Sequence, residues 1–277
     1  MSKKKRRHKF THIHHTHKHP KNEAEEEYIN IGIEGLKELM PKGIPPGSSI
    51  LVEGGPGSGK TIFCLDILKH LCLQGKKVLY MSFEEPEIRL RKHLKSFGAD
   101  VDDFEKKKLL YIKRFNALDI ARSVEALLSE AKKELLIDVQ PVLIPPEFDP
   151  DVVLIDSLSS IASAFSGEES RFRIYMEQLF RYLEGHHITS FLVRETSSPT
   201  HIGGTFVEHG EAVSFLSDGI ISLYNVFFRE ENRKRALEIV KMRGIGFERK
   251  LVEFQITEGK GFVIYPDAIL RGDYILT

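Results

Sequence analysis

A glycine-rich segment constrains the fold of this chain more than any other feature. Residues 54–61 read Gly-Gly-Pro-Gly-Ser-Gly-Lys-Thr, which fits the GxxxxGK[ST] pattern of a phosphate-binding loop. An apolar run at 49–53, typical of a buried strand, precedes the loop, and Lys60 opens a segment with helical character. The pattern and its context predict a strand, a loop whose backbone N–H groups surround phosphate oxygens, and a helix that starts at the phosphates.

Each residue type in this loop has a chemical reason. Glycines let the backbone turn its N–H groups inward, and Lys60 supplies a positive charge at the β and γ phosphates of a nucleotide. The Thr61 hydroxyl is an oxygen ligand of the kind that Mg²⁺ prefers. The predicted nucleotide-binding residues are Gly54, Gly55, Pro56, Gly57, Ser58, Gly59, Lys60, Thr61 and Ile62.

Acidic residues stand at the ends of two further apolar segments. Asp156 closes one of them, where a carboxylate can hold the coordination shell of Mg²⁺, usually through water. Glu84 and Glu85 follow the predicted strand 77–83, and the carboxyl ends of parallel strands form the ligand crevice of an open sheet. We therefore predict a metal site at Thr61 and Asp156, and a water-orienting role for Glu84 or Glu85.

Strands and helices alternate through most of the chain after residue 27. The predicted strands are 49–53, 77–83, 109–115, 152–156, 188–194 and 219–226, and the predicted helices are 60–73, 87–97, 118–138 and 170–185. Such alternation favours a parallel sheet, whereas 236–242, 250–256 and 261–265 are typical of antiparallel hairpins. The predicted fold class is α/β, with a mostly parallel central sheet flanked by helices and a C-terminal antiparallel hairpin region.

The first 27 residues differ in composition from the rest. They hold six of the twelve histidines, and residues 1–22 carry eight Lys or Arg and no acid, which leaves 32 basic and 40 acidic residues in the remainder. We predict a disordered, basic, His-rich tail at 1–27 and one domain at 28–277. Non-specific nucleic-acid binding and Zn²⁺ or Ni²⁺ binding are both open for the tail, as is a solvated segment or cloning remnant without function.

Composition also bears on the compartment. No apolar run approaches the roughly 18 residues of a membrane span, and no apolar signal-peptide core follows the basic N-terminus. We expect no membrane association and a cytoplasmic location. Cys64 and Cys72 are eight residues apart on one predicted helix, hence about 12 Å apart along its axis, so we expect free, buried thiols.

Several motifs, in order, resemble those of the RecA-like ATPases, and specifically the KaiC group. Over residues 30–277 they are Gly35-Leu36, 43–48, the phosphate loop, 82–85, 153–157, 217–220 and 240–244. The resemblance implies Mg²⁺-dependent hydrolysis of ATP between subunits of a homo-oligomeric ring, expected to be a hexamer, with the paired glutamates activating water. It also implies that Lys241 and Arg243 reach the γ-phosphate of the next subunit.

Elementary physics agrees with that last implication, because preorganised cations best meet the charge that develops on a transferred phosphoryl group. Lys241 and Arg243 are two residues apart, so both would face one side of a strand that continues that far. The alternative is a basic strand edge that deters aggregation.

The chain departs from the clock protein of that group, which has two tandem ATPase halves where this chain has one. Our leading hypothesis is an ATPase in signalling or regulation. A nucleotide-dependent scaffold or autokinase with slow turnover stays open. The resemblance to an autokinase calls for adjacent hydroxyl residues just before strand 219–226, whereas Ser214 and Ser217 are not adjacent. A RadA-like DNA-repair ATPase also stays open, but the acidic body and the weakly basic loops 163–171 and 195–210 argue against it.

Overall fold

The structure is a computed structural model that describes residues 28–122, 125, 144–145, 147–165, 168–196, 211–228 and 233–277. The predicted tail at 1–27, most of the predicted helix 118–138 and most of the loop 195–210 lie outside the described residues.

One sheet organises the described part of the chain. Its strands are β1 (Ser49–Gly54), β2 (Val78–Ser82), β3 (Leu110–Arg114), β4 (Val152–Asp156), β5 (Thr189–Glu195), β6 (Gly219–Phe228), β7 (Arg233–Met242), β8 (Val252–Thr257), β9 (Gly261–Ile269) and β10 (Tyr274–Leu276). Their order is β3-β2-β4-β5-β1-β6-β7-β8-β9, and β10 pairs with β6. Strands β1 to β6 run parallel, and β7 to β10 pair antiparallel. This arrangement confirms the predicted fold class.

Helices cover both faces of the parallel part. They are α1 (Leu36–Leu39), α2 (Lys60–Leu73), α3 (Glu87–Ser96), α4 (Val101–Lys106), α5 (Leu158–Ala164), α6 (Glu169–Gly185) and α7 (Glu211–Leu216), and residues 117–122 are also helical. The sequence did not predict α1, α4, α5, α7 or β10, because elements of three to seven residues are too short to show a period. No helix in the described ranges is long and apolar enough to cross a membrane.

The alternation of side chains along each strand builds two large hydrophobic cores, and a small third cluster lies at β6 and β7. Ile50 and Val52 of β1 join a cluster with α2 and the hairpin β8–β9, whereas Leu51 joins a cluster with α5 and α6. Helix α2 is buried on most of its surface, because the sheet lies on one side of it and Phe262 of β9 packs against Phe63 on another, with ring centroids 5.0 Å apart. The loop that precedes α2 is therefore attached to a fixed helix.

Candidate functional site

The predicted phosphate loop joins β1 to α2 at the carboxyl edge of the parallel strands. Gly57 and Gly59 have φ values of 72° and 103°, in the left-handed region that favours glycine. Gly54 is required by space, because a Cβ there would lie 2.2 Å from the carbonyl oxygen of Leu223. A Cβ on Gly57 would meet no atom of the described residues within 4 Å. The loop thus has a tightly packed base and an open rim at the start of a 14-residue helix.

Lys60 is buried at the first position of α2. Its Nζ donates to the carbonyl oxygens of Gly54 and Gly55, each at 2.9 Å, and lies 3.7 Å from Oε1 of Glu195. Burial lowers the pKa of Lys60, and the neighbouring carboxylates, Glu195 first, oppose that shift. The ammonium group is held among oxygen atoms at the loop, an environment that phosphate oxygens can also provide.

Thr61 and Asp156 meet, as the predicted metal site requires. The Thr61 hydroxyl donates to Oδ2 of Asp156 at 2.8 Å, and the Tyr80 hydroxyl donates to the same oxygen at 2.7 Å. Asp156 is buried; burial raises its pKa, and the two hydrogen bonds oppose that rise. A hydroxyl and a carboxylate are hard oxygen donors that fit Mg²⁺.

The described ranges contain no cluster of three or more His, Cys, Asp or Glu side chains that could hold a metal ion by themselves. An ion at Thr61 and Asp156 would therefore take its other ligands from phosphate and water, which is how Mg²⁺ usually binds beside a nucleotide.

The paired glutamates have different surroundings. Oε1 of Glu84 accepts from the hydroxyls of Ser157 and Ser160, each at 2.7 Å, and its charge acts to raise the pKa of Lys60 and of Asp156. Glu84 therefore faces the loop.

Glu85 lies on the other side, toward α3. Its Oε2 is buried, accepts no hydrogen bond from the residues that the structure describes, and lies 3.6 Å from Nε2 of His93. Sequence reasoning named the glutamate pair but could not separate its members, because their difference comes from hydroxyls more than 70 residues away.

Lys241 and Arg243 converge on the C-terminal end of α7. Nζ of Lys241 donates to the backbone oxygen of Ser214 at 3.0 Å. Nη2 of Arg243 donates to the backbone oxygen of Phe215 at 3.0 Å, and Nη1 lies 3.3 Å from Oδ1 of Asp218. β7 ends one residue before Arg243, so the strand alternation on which the prediction rested does not reach that residue. Both cations nevertheless contact backbone oxygens at the end of α7.

That location is far from the phosphate loop of the same chain. Gly219, where β6 begins, is paired with Met242 on β7 and with Ile50 near the start of β1. The loop leaves the other end of β1, at Gly54. Four residues of strand separate Ile50 from Gly54, a rise of about 13 Å. The predicted phosphate-binding groups and the cationic groups thus lie at opposite ends of the central strands.

A cavity of about 670 Å³ lies on the β6 side of the loop. The residues that matter most in its lining are Pro56, Asn225, Phe227, Arg233, Arg235 and Ile256. Asn225 Nδ2 donates to the Pro56 carbonyl at 3.2 Å, and the Arg233 guanidinium lies 5.0 Å from the Phe227 ring centroid. No motif pointed to this cavity, since it forms only where β6, β7 and β8 come together beside the loop.

The sheet order and the loop between β1 and α2 define the class: a RecA-like P-loop ATPase fold. The family model "ATPase: KaiC" matches residues 29–269. The chain therefore belongs to the KaiC family, as its motifs predict.

Similarity to individual proteins supports the family assignment. A UPF0273 protein of Thermotoga maritima is 31% identical over 247 residues, covering 86% of this chain and 96% of the relative. A UPF0273 protein of Pyrococcus horikoshii is 29% identical over 255 residues, covering 90% and 98%. The circadian clock oscillator protein KaiC of Thermostichus vulcanus is 29% identical over 230 residues, which cover 83% of this chain but only 41% of the clock protein.

Among solved structures, the crystal structure of a KaiC-like protein from Pyrococcus horikoshii is similar, with a TM-score of 0.67 and 26% sequence identity. The match covers 86% of this chain and 99% of that one. The match therefore extends over almost the whole of the solved chain.

Proposed function

We propose that this protein binds ATP with Mg²⁺ and hydrolyses it at interfaces between its own subunits in a homo-oligomeric ring, expected to be a hexamer that serves signalling or regulation. One observation carries the proposal. The phosphate loop with Asp156 and Glu84 lies at one edge of the sheet, and Lys241 with Arg243 lies at the opposite edge. One chain cannot bring these halves together, whereas a second copy can supply the missing half.

In this proposal the loop residues 54–62 hold the phosphates. Backbone N–H groups at the start of α2 face phosphate oxygens, and Lys60 exchanges its carbonyl partners for them. Thr61 and Asp156 hold Mg²⁺. When bound, the ion neutralises charge on the β and γ phosphates.

Glu84, rather than Glu85, is proposed to orient the attacking water and accept its proton. The hydroxyls of Ser157 and Ser160 fix one of its oxygens, and the other remains for water. Glu85 is directed toward His93 instead. Ser157 and Ser160 are then positioning residues, because they act through Glu84.

Lys241 and Arg243 are proposed to enter the phosphate site of the adjacent subunit. The charge that develops on the transferred phosphoryl group favours cations already in place. Within one chain these cations are engaged by backbone oxygens of α7. Phosphate oxygens offer full negative charge and would compete for them.

The cavity beside the loop is proposed to hold the nucleoside. Strand β4, which carries Asp156, lies on one side of β1, and the cavity lies on the other side, at β6. A triphosphate whose terminal phosphate lies near Asp156 would therefore point its nucleoside toward the cavity. Phe227 and Ile256 offer apolar surface, and Arg235 and Asn225 offer hydrogen-bond donors.

The test is phosphate release from Mg-ATP, measured per subunit against protein concentration for the parent, Arg243→Ala and, as a matched control, Arg181→Ala on the exposed face of α6. Specific activity should rise with concentration. Arg243→Ala should lose about 10³-fold in turnover while still binding nucleotide, and Arg181→Ala should match the parent. Concentration-independent turnover with an unaffected Arg243→Ala would refute the interface mechanism and favour a nucleotide-binding scaffold.

A further inference from the structure

The carboxylate of Asp156 is held by a second hydroxyl that no sequence motif marks. Its Oδ2 accepts from Thr61 at the start of α2 and from Tyr80 in β2, at 2.8 and 2.7 Å. Tyr80 is fully buried, in the core cluster that includes α2. One carboxylate oxygen is thus held between the phosphate-loop helix on one side and the interior of the sheet on the other.

The register of β2 and β4 explains why Tyr80 makes this contact. Ser82 lies directly opposite Asp156, and Tyr80 is two residues earlier on the same face of β2. The Ser82 hydroxyl donates instead to the backbone oxygen of Glu85 at 2.8 Å. The longer phenol side chain of Tyr80 reaches diagonally across the pair, which is within the range of aromatic side chains on a sheet.

We infer that Tyr80 is a positioning residue for the metal site, an inference that rests on the proposed function. Two donors on Oδ2 fix the plane of the carboxylate and occupy that oxygen, so the group cannot rotate or offer both oxygens to the cation. Hydrogen-bond partners of metal-binding carboxylates set ligand orientation, and their loss typically costs 10–100-fold in metal affinity or activity. Tyr80 thereby sets how strongly Asp156 holds Mg²⁺ beside the nucleotide.

The matched variants are Tyr80→Phe and Tyr175→Phe, each of which removes one hydroxyl from a buried tyrosine. The Tyr175 hydroxyl lies in the cluster around α6 and makes no hydrogen bond to any residue that the structure describes. The measurement is Mn²⁺ affinity by electron paramagnetic resonance in the presence of ADP, together with ADP affinity in the absence of metal. Thermal melts report whether each variant folds.

Tyr80→Phe should weaken Mn²⁺ binding in the presence of ADP about tenfold and leave metal-free ADP affinity unchanged, whereas Tyr175→Phe should change neither. Unchanged Mn²⁺ affinity in Tyr80→Phe would overturn the inference. So would a loss of metal-free ADP affinity as large as the loss of Mn²⁺ affinity, since a loosened core weakens the binding of both ligands. Failure of the parent protein to bind Mn²⁺ with ADP would instead contradict the proposed function, so the two failures are distinguishable.

Discussion

The Lys60 ammonium group and the Arg243 guanidinium lie at opposite ends of β1. Lys60 donates to the oxygen of Gly54, where the strand ends. At the other end, the backbone N–H of Ser49 donates to Asp218 at 3.0 Å, and Asp218 in turn pairs with Arg243. Since a strand is rigid, no local side-chain motion closes this gap within one chain.

Because the two cations lie in separate halves of the proposed site, two inactive variants should restore activity when their subunits are mixed. Under the proposed function, Lys60→Ala and Arg243→Ala should each be inactive in phosphate release. The first would lack the proposed phosphate-binding lysine, and the second the cation proposed to complete the neighbour's site. Mixed in equal amounts after subunit exchange, they should regain activity, because about a quarter of head-to-tail interfaces then join two intact halves.

The control for complementation is the Lys60→Ala/Arg243→Ala double variant, which carries no intact half. Mixed with either single variant it should stay inactive. A mixture of the single variants that stays inactive despite subunit exchange would indicate that both residues act within one chain.

Gly54→Ala tests the close approach at the base of the loop. A Cβ would lie 2.2 Å from the backbone oxygen of Leu223, which cannot move without disturbing β6. We expect a loss of about 1–3 kcal/mol in the free energy of unfolding, as for other overpacked sites, together with loss of ATP binding. Denaturant unfolding and a nucleotide titration measure the two effects.

The matched control is Gly185→Ala at the end of α6, where a Cβ meets nothing within 4 Å in the part of the chain that the structure describes. That change should leave stability unchanged or raise it by about 0.4–1 kcal/mol. Equal effects of the two substitutions would show that the base of the loop is less tightly packed than the distances indicate.

The sequence predicted the parts of the site that lie in local motifs. Asp156 ends an apolar strand, and the phosphate loop and the glutamate pair each come at or just after the end of another. Parallel topology brings these strand ends together. Tyr80 was not predicted, because an aromatic residue in an apolar run reads as core. Its role depends on pairing between β2 and β4, whose contacting residues are 76 positions apart.

The contacts of Lys241 and Arg243 also could not be predicted from the sequence. Their two-residue spacing predicts a shared site only where the strand continues through Arg243, whereas β7 ends at Met242. The backbone oxygens that they meet belong to α7, a helix of six residues whose sequence is too short to show a helical period. Where the cations point within one chain could therefore be learned only from the fold.

The cysteines are predicted to be unreactive in the native protein. Both lie buried and unpaired on α2, as the sequence indicates. Burial raises the pKa of Cys72 to about 12 and also raises that of Cys64, where the charge of Asp156 adds to the effect. A thiol is neutral below its pKa and the thiolate is the nucleophile, so at pH 8 the reactive fraction of Cys72 is about 10⁻⁴.

The measurement is reaction with a disulfide reagent between pH 7 and 9. Native protein should react slowly throughout this range, with a rate that rises with pH as the thiolate fraction grows. Denatured protein should react at once with two equivalents of the reagent. Complete labelling of folded protein within minutes at pH 8 would show that α2 is more open than its packing indicates.

A buried ion pair on α2 gives the last prediction. Lys69 and Asp66 are 9% and 1% exposed, with Nζ 2.7 Å from Oδ1, and Asp66 also accepts from the backbone N–H of Phe262 at 2.9 Å. Lys69→Met should cost about 3–5 kcal/mol in urea unfolding, because the buried carboxylate loses its close cation and, among the described residues, keeps only His70, whose Nε2 lies 3.7 Å from Oδ1. Adding Asp66→Asn should recover part of that loss, since the amide oxygen still accepts from Phe262.

As a matched control, Lys95→Met breaks the exposed pair with Asp102 and should cost at most about 1 kcal/mol. Equal losses at the two sites would mean that water reaches the pair on α2.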